Sequence, residues 1–311
     1  MVDLTSFNTL QVPAKANNLI TLKTLKSLKT LKLQEQYLFL GQGANVLFVH
    51  DFPGTIIRVD LKGKKIISEN DKEVVVEVAA GEDWHEFVTW AVENNYSGIE
   101  NLALIPGTIG AAVVGNIGAY GQEVRNTISS VQYSMLNKLQ TMNHEQCEFD
   151  YRESFFKHHK EYLVTAAQFR LFKKFKLNDS YIKFPENCNL QQAFDFIVAT
   201  RQSKLPDWTK IGTAGSFFKN PVLTSAQCAV LSTQIPDLKI FNNKVHAGKL
   251  LDVLGWKGKR IGNVSTNDKS ALVIINLGGA TGQEIFDYAE TMRADVKNNF
   301  KIGLEYEVRI I

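Results

Sequence analysis

The chain has 311 residues, 44% of them hydrophobic and 22% charged, with a net charge of +3, the make-up of an ordinary globular protein with length for two or three domains. So weak and dispersed a positive balance gives no electrostatic footprint for nucleic acid, although it suits an anionic small molecule. Cys147, Cys188 and Cys228 lie far apart, odd in number and with no CxxC pair, so neither a disulfide framework nor a structural zinc site is suggested, and reduced thiols in a cytoplasm are the simple reading.

Met1 to Thr21 has no apolar core of the signal-peptide kind. No apolar run reaches the roughly 18 to 20 residues of a membrane span. Residues 22–33, "LKTLKSLKTLKL", repeat leucine every third position, which predicts a short amphipathic helix with a solvated lysine face. A β-rich stretch follows: "YLFLG" ending at Gly41, "TIIRVDL" (55–61), "EVVVEVAAG" (73–81), "SSVQYSML" (129–136) and "YLVTAAQFRLF" (162–172). Helical spacing marks three apolar faces: Trp84, Phe87, Val88, Ala91 and Val92 after Asp83; Leu190, Ala193, Phe194, Ile197 and Val198; and Ile285, Tyr288, Ala289, Met292 and Val296 after a Thr281/Glu284 capping box. Pro206 in "KLPDWTKIG" (204–212) ends the second helix and marks a boundary. Strands and helices mix without regular alternation, which predicts an α+β fold. His85, His158 and His159 show no metal-ligand spacing and read as surface residues; no metal site is expected.

Two glycine clusters carry the functional signal. "LGQGANVLF" (40–48) directly follows a strand. Gly41 and Gly43 allow a sharp turn whose amides could meet phosphate oxygens. Val46 occupies the third glycine position of a dinucleotide fingerprint, and no Gly-Lys-Ser/Thr follows, so neither common nucleotide loop is present. A tight turn capped by Asn45 explains this segment equally well. The second cluster, "NLALIPGTIGAAVVGNIGAYGQEV" (101–124), holds Gly107, Gly110, Gly115, Gly118 and Gly121 among small and apolar residues. A backbone without bulky polar side chains can approach a flat, extended ligand and offer its amides to a pyrophosphate; close strand packing is the alternative.

These segments, in this order, resemble the flavin-binding loops of the UDP-N-acetylenolpyruvoylglucosamine reductases (MurB). The likeness extends through Asn8-Thr9, "FDYRESFFK", "KLPD" with "AGSFFKNP", "ALVIIN" and the terminal "LEYEVRII". It implies a vanillyl-alcohol-oxidase-like FAD-binding fold of two α+β subdomains, residues 1–60 (joined by 303–311) and 61–205, with a third α+β substrate-binding domain over 206–302. It implies noncovalent FAD, NADPH as reductant, and a role in peptidoglycan precursor synthesis; a cytoplasmic monomer with neither nucleic acid nor membrane as partner is expected. By the same resemblance, cofactor contacts fall on Gly41, Gln42, Gly43, Ala44, Asn45, Val46, Pro106, Gly107, Thr108, Gly110, Ala111, Asn116, Ile117, Gly118, Ala119 and Gly121.

The implied reaction moves a hydride from NADPH to the flavin and then to the terminal vinyl carbon of the enolpyruvyl sugar nucleotide. Negative charge develops on the neighbouring carbon and its carboxylate. Arg152 of "FDYRES" matches the family's catalytic arginine, and a guanidinium suits a carboxylate; alone, it would read as a surface ion-pair residue. Glu307 of "LEYEVR" matches the catalytic glutamate, expected to have a raised pKa near another carboxylate; alone, it reads as the exposed face of a strand with Glu305. Only four residues follow it, fewer than in some relatives, so its supporting groups are expected from elsewhere. Ser216 of "AGSFFKNP" matches the proton donor; alone, it reads as a turn cap. Phe217 and Phe218 are expected to anchor it in the core. Tyr181 in "NDSYIKF" matches the tyrosine on the substrate-covering loop of one family type. Lys204 and Asn220 match pyrophosphate or cofactor contacts, and Tyr120 and Arg201 are further substrate candidates. Lys249 stands where relatives commonly carry tryptophan, and "VSTNDKSAL" (264–272) lacks a histidine many of them have near the uridine. The competing readings are a flavin oxidase of the same fold group acting on an alcohol or lactone, and a non-catalytic nucleotide-binding module. No G-x-S-x-G elbow supports a hydrolase.

Overall fold

The computed structural model describes residues 1–28, 31, 36–135, 138–235 and 237–311. Strands and helices are mixed in an α+β arrangement, and the chain divides into two compact units, each built from non-contiguous segments.

One unit comprises Asn17–Gln42 and Pro53–Arg201. Its centre is a five-stranded antiparallel sheet in the spatial order Lys138–Asn143, Ile128–Met135, Leu163–Phe172, Glu73–Ala79, Lys64–Glu69. Period-two alternation sends Val74, Val76 and Val78 to the buried face, where register pairs them with Leu171, Phe169 and Ala167. The helix Trp84–Glu93 packs in the same core. Asp83 caps it by accepting the Glu86 N–H at 2.9 Å, and its five predicted apolar residues are all buried. The Phe87 ring lies 4.9 Å from Phe169, and the Trp84 indole N–H donates to the Leu102 carbonyl at 2.9 Å. Burial of side chains this large stabilises by about 1.5–3 kcal/mol each. The helix Leu190–Lys204 buries Leu190, Ala193, Phe194 and Ile197 and ends two residues before Pro206. Tyr37–Leu40 pairs in parallel with Thr55–Arg58 of the strand Phe52–Val59.

The lysine-leucine repeat is only partly the predicted helix. A strand, Lys15–Leu22, takes its first leucine, and a single turn, Leu25–Leu28, follows. Positions 29, 30 and 32–35 lie outside the described residues.

The glycine-rich segment contains an element that glycine content disguised. Ile109–Gly115 is a helix capped by Thr108. It approaches the end of the strand Glu73–Ala79 so closely that Gly110 N–H bonds the Ala80 carbonyl at 2.9 Å. A Cβ at Gly110 would stand 2.9 Å from the Ala80 Cβ. Steric access, not turn formation, is what glycine provides here.

The other unit comprises Met1–Ala16, Gly43–Phe52 and Gln202–Ile311. An antiparallel sheet runs in the order Gly212–Ser216, Ser270–Asn276, Val264–Asn267, Arg260–Ile261. The helix Gly282–Phe300 carries the predicted Thr281/Glu284 capping box and buries all five predicted apolar residues. Two further helices, Ser225–Gln234 with a Thr224/Gln227 capping box and Ala247–Val253, were not legible from apolar spacing. Buried Asn8 closes the N-terminal turn, donating to the Leu4 and Val12 carbonyls at 3.0 and 3.1 Å and accepting Val12 N–H at 3.0 Å. Thr9 N–H reaches the Gly43 carbonyl at 3.1 Å. The terminal Arg309–Ile310 pairs in parallel with Val46–Leu47.

Gly110→Ala should destabilise the protein by about 1–3 kcal/mol, because the added methyl meets Ala80 rather than open space. Urea unfolding should show a lower midpoint with an unchanged slope; an unchanged midpoint would show that the helix can shift without cost.

Candidate active site

In the sheet-and-helix unit, the two glycine segments are joined by one side chain. Gln42 accepts the Gly107 N–H at 3.0 Å and donates to Asp83 at 2.6 Å. A Cβ at Gly41 would lie 2.5 Å from the Thr108 hydroxyl. The amides of Gly107, Ile109 and Gly110 bond Gln42, the Glu82 carbonyl and the Ala80 carbonyl. These two glycines therefore use their amides to close the fold, not to present them outward as the sequence reading expects. On the accessible side of the segment, the small residues Ala111 and Gly121 are exposed and Pro106, Gly115, Gly118 and Ala119 partly so, as are the larger Leu104, Ile105, Val114, Ile117 and Tyr120. Asn116 is fully buried in a left-handed conformation (φ 38°). Its amide donates to the Asp150 carbonyl at 2.7 Å and to Glu123 at 3.2 Å, and it accepts Arg125 N–H at 3.2 Å. Asn116 thus ties the helix end to the turn that carries Arg152.

That turn is tight. Asp150 and Glu153 exchange backbone bonds at 3.0 and 3.1 Å with Tyr151 and Arg152 at the tip. Arg152 adopts φ 57°, which costs a non-glycine residue about 1–2 kcal/mol. Buried Ser154 pins the turn to the Val114 carbonyl at 2.8 Å, and Lys157 reaches the Arg152 carbonyl at 2.5 Å. The Arg152 guanidinium donates to the Gly118 carbonyl at 2.8 Å, and a Cβ at Gly118 would sit 2.9 Å from it. Arg201, near the end of the helix Leu190–Lys204, is close enough to Arg152 and Tyr120 to interact electrostatically with both. Burial, then the neighbouring Arg152 charge, pushes its pKa down, while Tyr120 opposes the shift. The Arg201 Nε is fully enclosed and has no hydrogen-bond partner among the described residues. Two neighbouring guanidiniums, one incompletely satisfied, favour an anion. The ring of Tyr120 lies 6.4 Å from Tyr181, edge to face. Tyr181 is 65% exposed. Its loop is held where Asn178 donates to the Gly121 carbonyl at 3.2 Å and Asn101 bridges the Tyr120 and Asn178 carbonyls at 3.1 and 3.0 Å.

The second unit carries the other candidates. Strand Gly212–Ser216 bulges between Thr213 and Ser216, with Gly215 at φ 72° and Thr213 accepting its N–H at 3.1 Å. The bulge re-aims Ser216 as the strand ends. Phe217 and Phe218 are 0% exposed, so the predicted anchors are in place. Residues from the chain terminus lie directly beside them. Glu307 N–H bonds the Phe217 carbonyl at 3.0 Å, Phe218 bridges Tyr306, and Lys219 N–H bonds the Glu305 carbonyl at 2.8 Å. Ser216 and Glu307 are thus neighbours through the backbone. Half-buried Glu307 also receives the Asn45 side-chain amide on its carbonyl at 3.0 Å, so Asn45 fastens the terminus rather than capping its own turn. Gly43 is buried at φ 69°, where a Cβ would strike the Phe7 carbonyl at 2.0 Å. The Ala44 carbonyl accepts from the Thr9 hydroxyl at 3.4 Å, and Val46 lies in the short parallel pairing with Arg309. Asn220 accepts the Ala247 N–H at 2.9 Å. Exposed Lys204 lies close to His246, whose pKa is lowered by burial and then by that lysine.

Two histidines differ from the sequence reading. His85 is not a surface residue: half-buried, it stacks 5.9 Å from Phe194 and accepts the Leu104 N–H on Nδ1 at 3.1 Å. Its place at the second position of an amphipathic helix, next to the buried Trp84, was the available signal. His246 escaped notice because nothing in "VHAGKLLD" links it to Lys204; only the fold does. His158 is largely exposed, and no metal-binding cluster of His, Cys, Asp or Glu occurs among the described residues.

Residues 26–136 match the FAD binding domain family, and the small-residue surface described above falls within that span. The chain is an FAD-binding oxidoreductase of α+β architecture. Residues 206–311 match the UDP-N-acetylenolpyruvoylglucosamine reductase C-terminal domain. The chain is 38% identical to the UDP-N-acetylenolpyruvoylglucosamine reductase of Flavobacterium johnsoniae over 99% of its own length and 98% of the relative's. It is 40% identical to that of Paraburkholderia phymatum, covering 87% and 84%. The crystal structure of the Thermus caldophilus UDP-N-acetylenolpyruvylglucosamine reductase shares the fold, with a TM-score of 0.73 at 24% identity over 99% of this chain and 97% of that one. The chain therefore belongs to the UDP-N-acetylenolpyruvoylglucosamine reductase family.

The His85 environment sets a pH dependence. Its folded pKa lies below the ordinary 6.5, chiefly through burial, with Arg201 adding to the effect. The unfolded chain binds the proton more readily, so the contribution of His85 to stability is present above about pH 6.5 and is lost as pH falls toward the folded pKa. Chemical denaturation from pH 7.5 to 5 should show a smaller loss of stability in His85→Asn than in the parent. Parallel pH profiles would contradict this assignment.

Proposed function

We propose that this protein reduces UDP-N-acetylenolpyruvoylglucosamine to UDP-N-acetylmuramate with NADPH as reductant, as a cytoplasmic monomer supplying peptidoglycan precursors. The observation that carries the reading is the backbone pairing that makes Ser216 and Glu307 neighbours, in a chain whose other unit gathers Arg152 and Arg201 into an anion-seeking pair. The family motifs at Arg152, Ser216 and Glu307 argue against an oxidase of the same fold group.

The residues fit FAD. On the accessible side of the segment Ala111 and Gly121 are exposed and Pro106, Gly115, Gly118 and Ala119 partly so, small residues beside which a flat, extended group can lie close to the backbone. Gly41 to Val46, Pro106 to Thr108, Gly110, Ala111 and Ile117 to Gly121 would hold it, with Asn116 acting from within by fixing the helix end. When bound, FAD supplies two-electron chemistry between NADPH and the vinyl carbon of the substrate.

The chain's own groups do the rest. Lys204 and Asn220 hold the diphosphate, and Tyr181 and Tyr120 cover the bound nucleotide sugar. Arg201 adds positive potential, and Arg152 grips the enolpyruvyl carboxylate, where charge accumulates during reduction. A guanidinium remains charged throughout and is effective where water is excluded. Ser216 gives its hydroxyl proton to the carbon beside that carboxylate. A hydroxyl is a weak acid, yet an enolate carbon is basic enough to take a proton from a donor fixed within hydrogen-bond reach. Glu307 supports the enolate with a carboxyl hydrogen bond.

Ser216→Ala should leave anaerobic bleaching of the flavin by NADPH intact and slow substrate reduction by roughly 10²–10⁴-fold. Parental turnover of substrate by this variant would remove Ser216 from the mechanism.

A further inference from the structure

Tyr306 lies between two acidic residues at the chain terminus, and the reaction gives it no task. Its surroundings are nonetheless specific. The phenol donates to Glu290 on the helix Gly282–Phe300, and the Arg293 guanidinium pairs with the same carboxylate oxygen. Arg293 also donates through Nε to the Leu304 carbonyl at 3.0 Å and lies 4.8 Å over the Tyr306 ring. That ring stacks on Phe218 at 5.5 Å and 26°, meets Phe217 edge-on at 5.9 Å, and lies 6.0 Å from Phe286. Residues 304–307 are therefore held on two sides: by the long helix through one carboxylate and one guanidinium, and by Phe217–Lys219 through the backbone.

Other ties reach the same segment: the Asn45 amide on the Glu307 carbonyl and the pairing of Arg309–Ile310 with Val46–Leu47. Glu305 to Val308 form no continuous strand, only the single bridge at Tyr306. Burial and the Glu290 bond both raise the Tyr306 pKa, and the Tyr306 bond is the chief cause of the lowered Glu290 pKa. The pair is thus a neutral phenol donating to an ionised carboxylate, the stronger class of hydrogen bond. Arg293 supplies the counter-charge, so the carboxylate can stay ionised while partly enclosed.

We propose that Tyr306, locked by Glu290 and Arg293, is a positioning residue that sets the place of the Glu307 carboxyl relative to Ser216. It touches no substrate and acts only through its neighbour. The inference rests on the reading of Glu307 given above. Because misplacement by about 1 Å can slow a reaction roughly 10²-fold, loss of one hydrogen bond at this point should be visible in a single step.

The test separates the two half-reactions by anaerobic stopped flow on the FAD-loaded enzyme. Tyr306→Phe keeps the ring packing and removes the hydroxyl. Reduction of the enolpyruvyl substrate should slow by about 10-fold, while flavin reduction by NADPH and the substrate dissociation constant change less than about twofold. Glu290→Gln, which leaves the aromatic cluster untouched and serves should the first variant fold poorly, should show the same selective loss. The double variant should be no slower than the worse single one, since both break one linkage. Equal slowing of both half-reactions, additive losses, or parental rates in both variants would overturn the positioning role. Glu307→Gln is the control for the underlying reading. If it reduces substrate at the parental rate, the role of Glu307 itself fails; if it is impaired while Tyr306→Phe and Glu290→Gln are not, only the positioning inference fails.

Discussion

In the second unit, one backbone pairing decides where the candidate residues Ser216 and Glu307 sit. Glu307 N–H to the Phe217 carbonyl, with Phe218 bridging Tyr306, joins the end of the chain to the strand that carries Ser216. Two fully buried phenylalanines, Phe217 and Phe218, lie on that pairing and anchor it in the core. The bulge before Ser216 and the Asn45 amide on the Glu307 carbonyl then orient what the pairing has brought together. A hydroxyl of ordinary acidity needs such fixation if it is to protonate carbon.

The other unit brings two guanidiniums, those of Arg152 and Arg201, into electrostatic reach of each other. Arg152 is kept in a left-handed backbone conformation by Asn116, Ser154 and Lys157, each bonded to the turn or to its support. Arg201 is brought near it on a separate helix, with an enclosed Nε that finds no protein acceptor among the described residues. Like charges so placed disfavour one another until an anion arrives. Backbone strain and like charges in proximity single this place out as a candidate anion site.

Much of the fold was legible in the sequence because its signals are local. The cap at Asp83, the Thr281/Glu284 box and the apolar faces of three helices follow from spacing alone, and the alternation in residues 73–79 follows from the pleat. The helix Ile109–Gly115 was hidden because its low propensity is overridden by packing: its glycine is chosen by contact with Ala80, a neighbour that spacing does not reveal. The helices Ser225–Gln234 and Ala247–Val253 carry weak apolar stripes, and the first was signalled only by its Thr224/Gln227 box. Among the candidate residues, Arg152, Ser216 and Glu307 took their meaning from a family resemblance. What the resemblance could not supply is tertiary: Gln42 as the clasp between glycine segments, Asn116 as the brace of the arginine turn, His246 beside Lys204, and the Glu290–Tyr306–Arg293 link.

The most direct measurement of the central claim is the visible spectrum of the purified protein under anaerobic conditions, with NADPH added first and UDP-N-acetylenolpyruvoylglucosamine second. The account expects an oxidised flavin band that one equivalent of NADPH bleaches and one equivalent of the enolpyruvyl sugar nucleotide restores, with UDP-N-acetylmuramate as product. A band that returns only on admitting oxygen, or a protein that takes up no flavin, would contradict it.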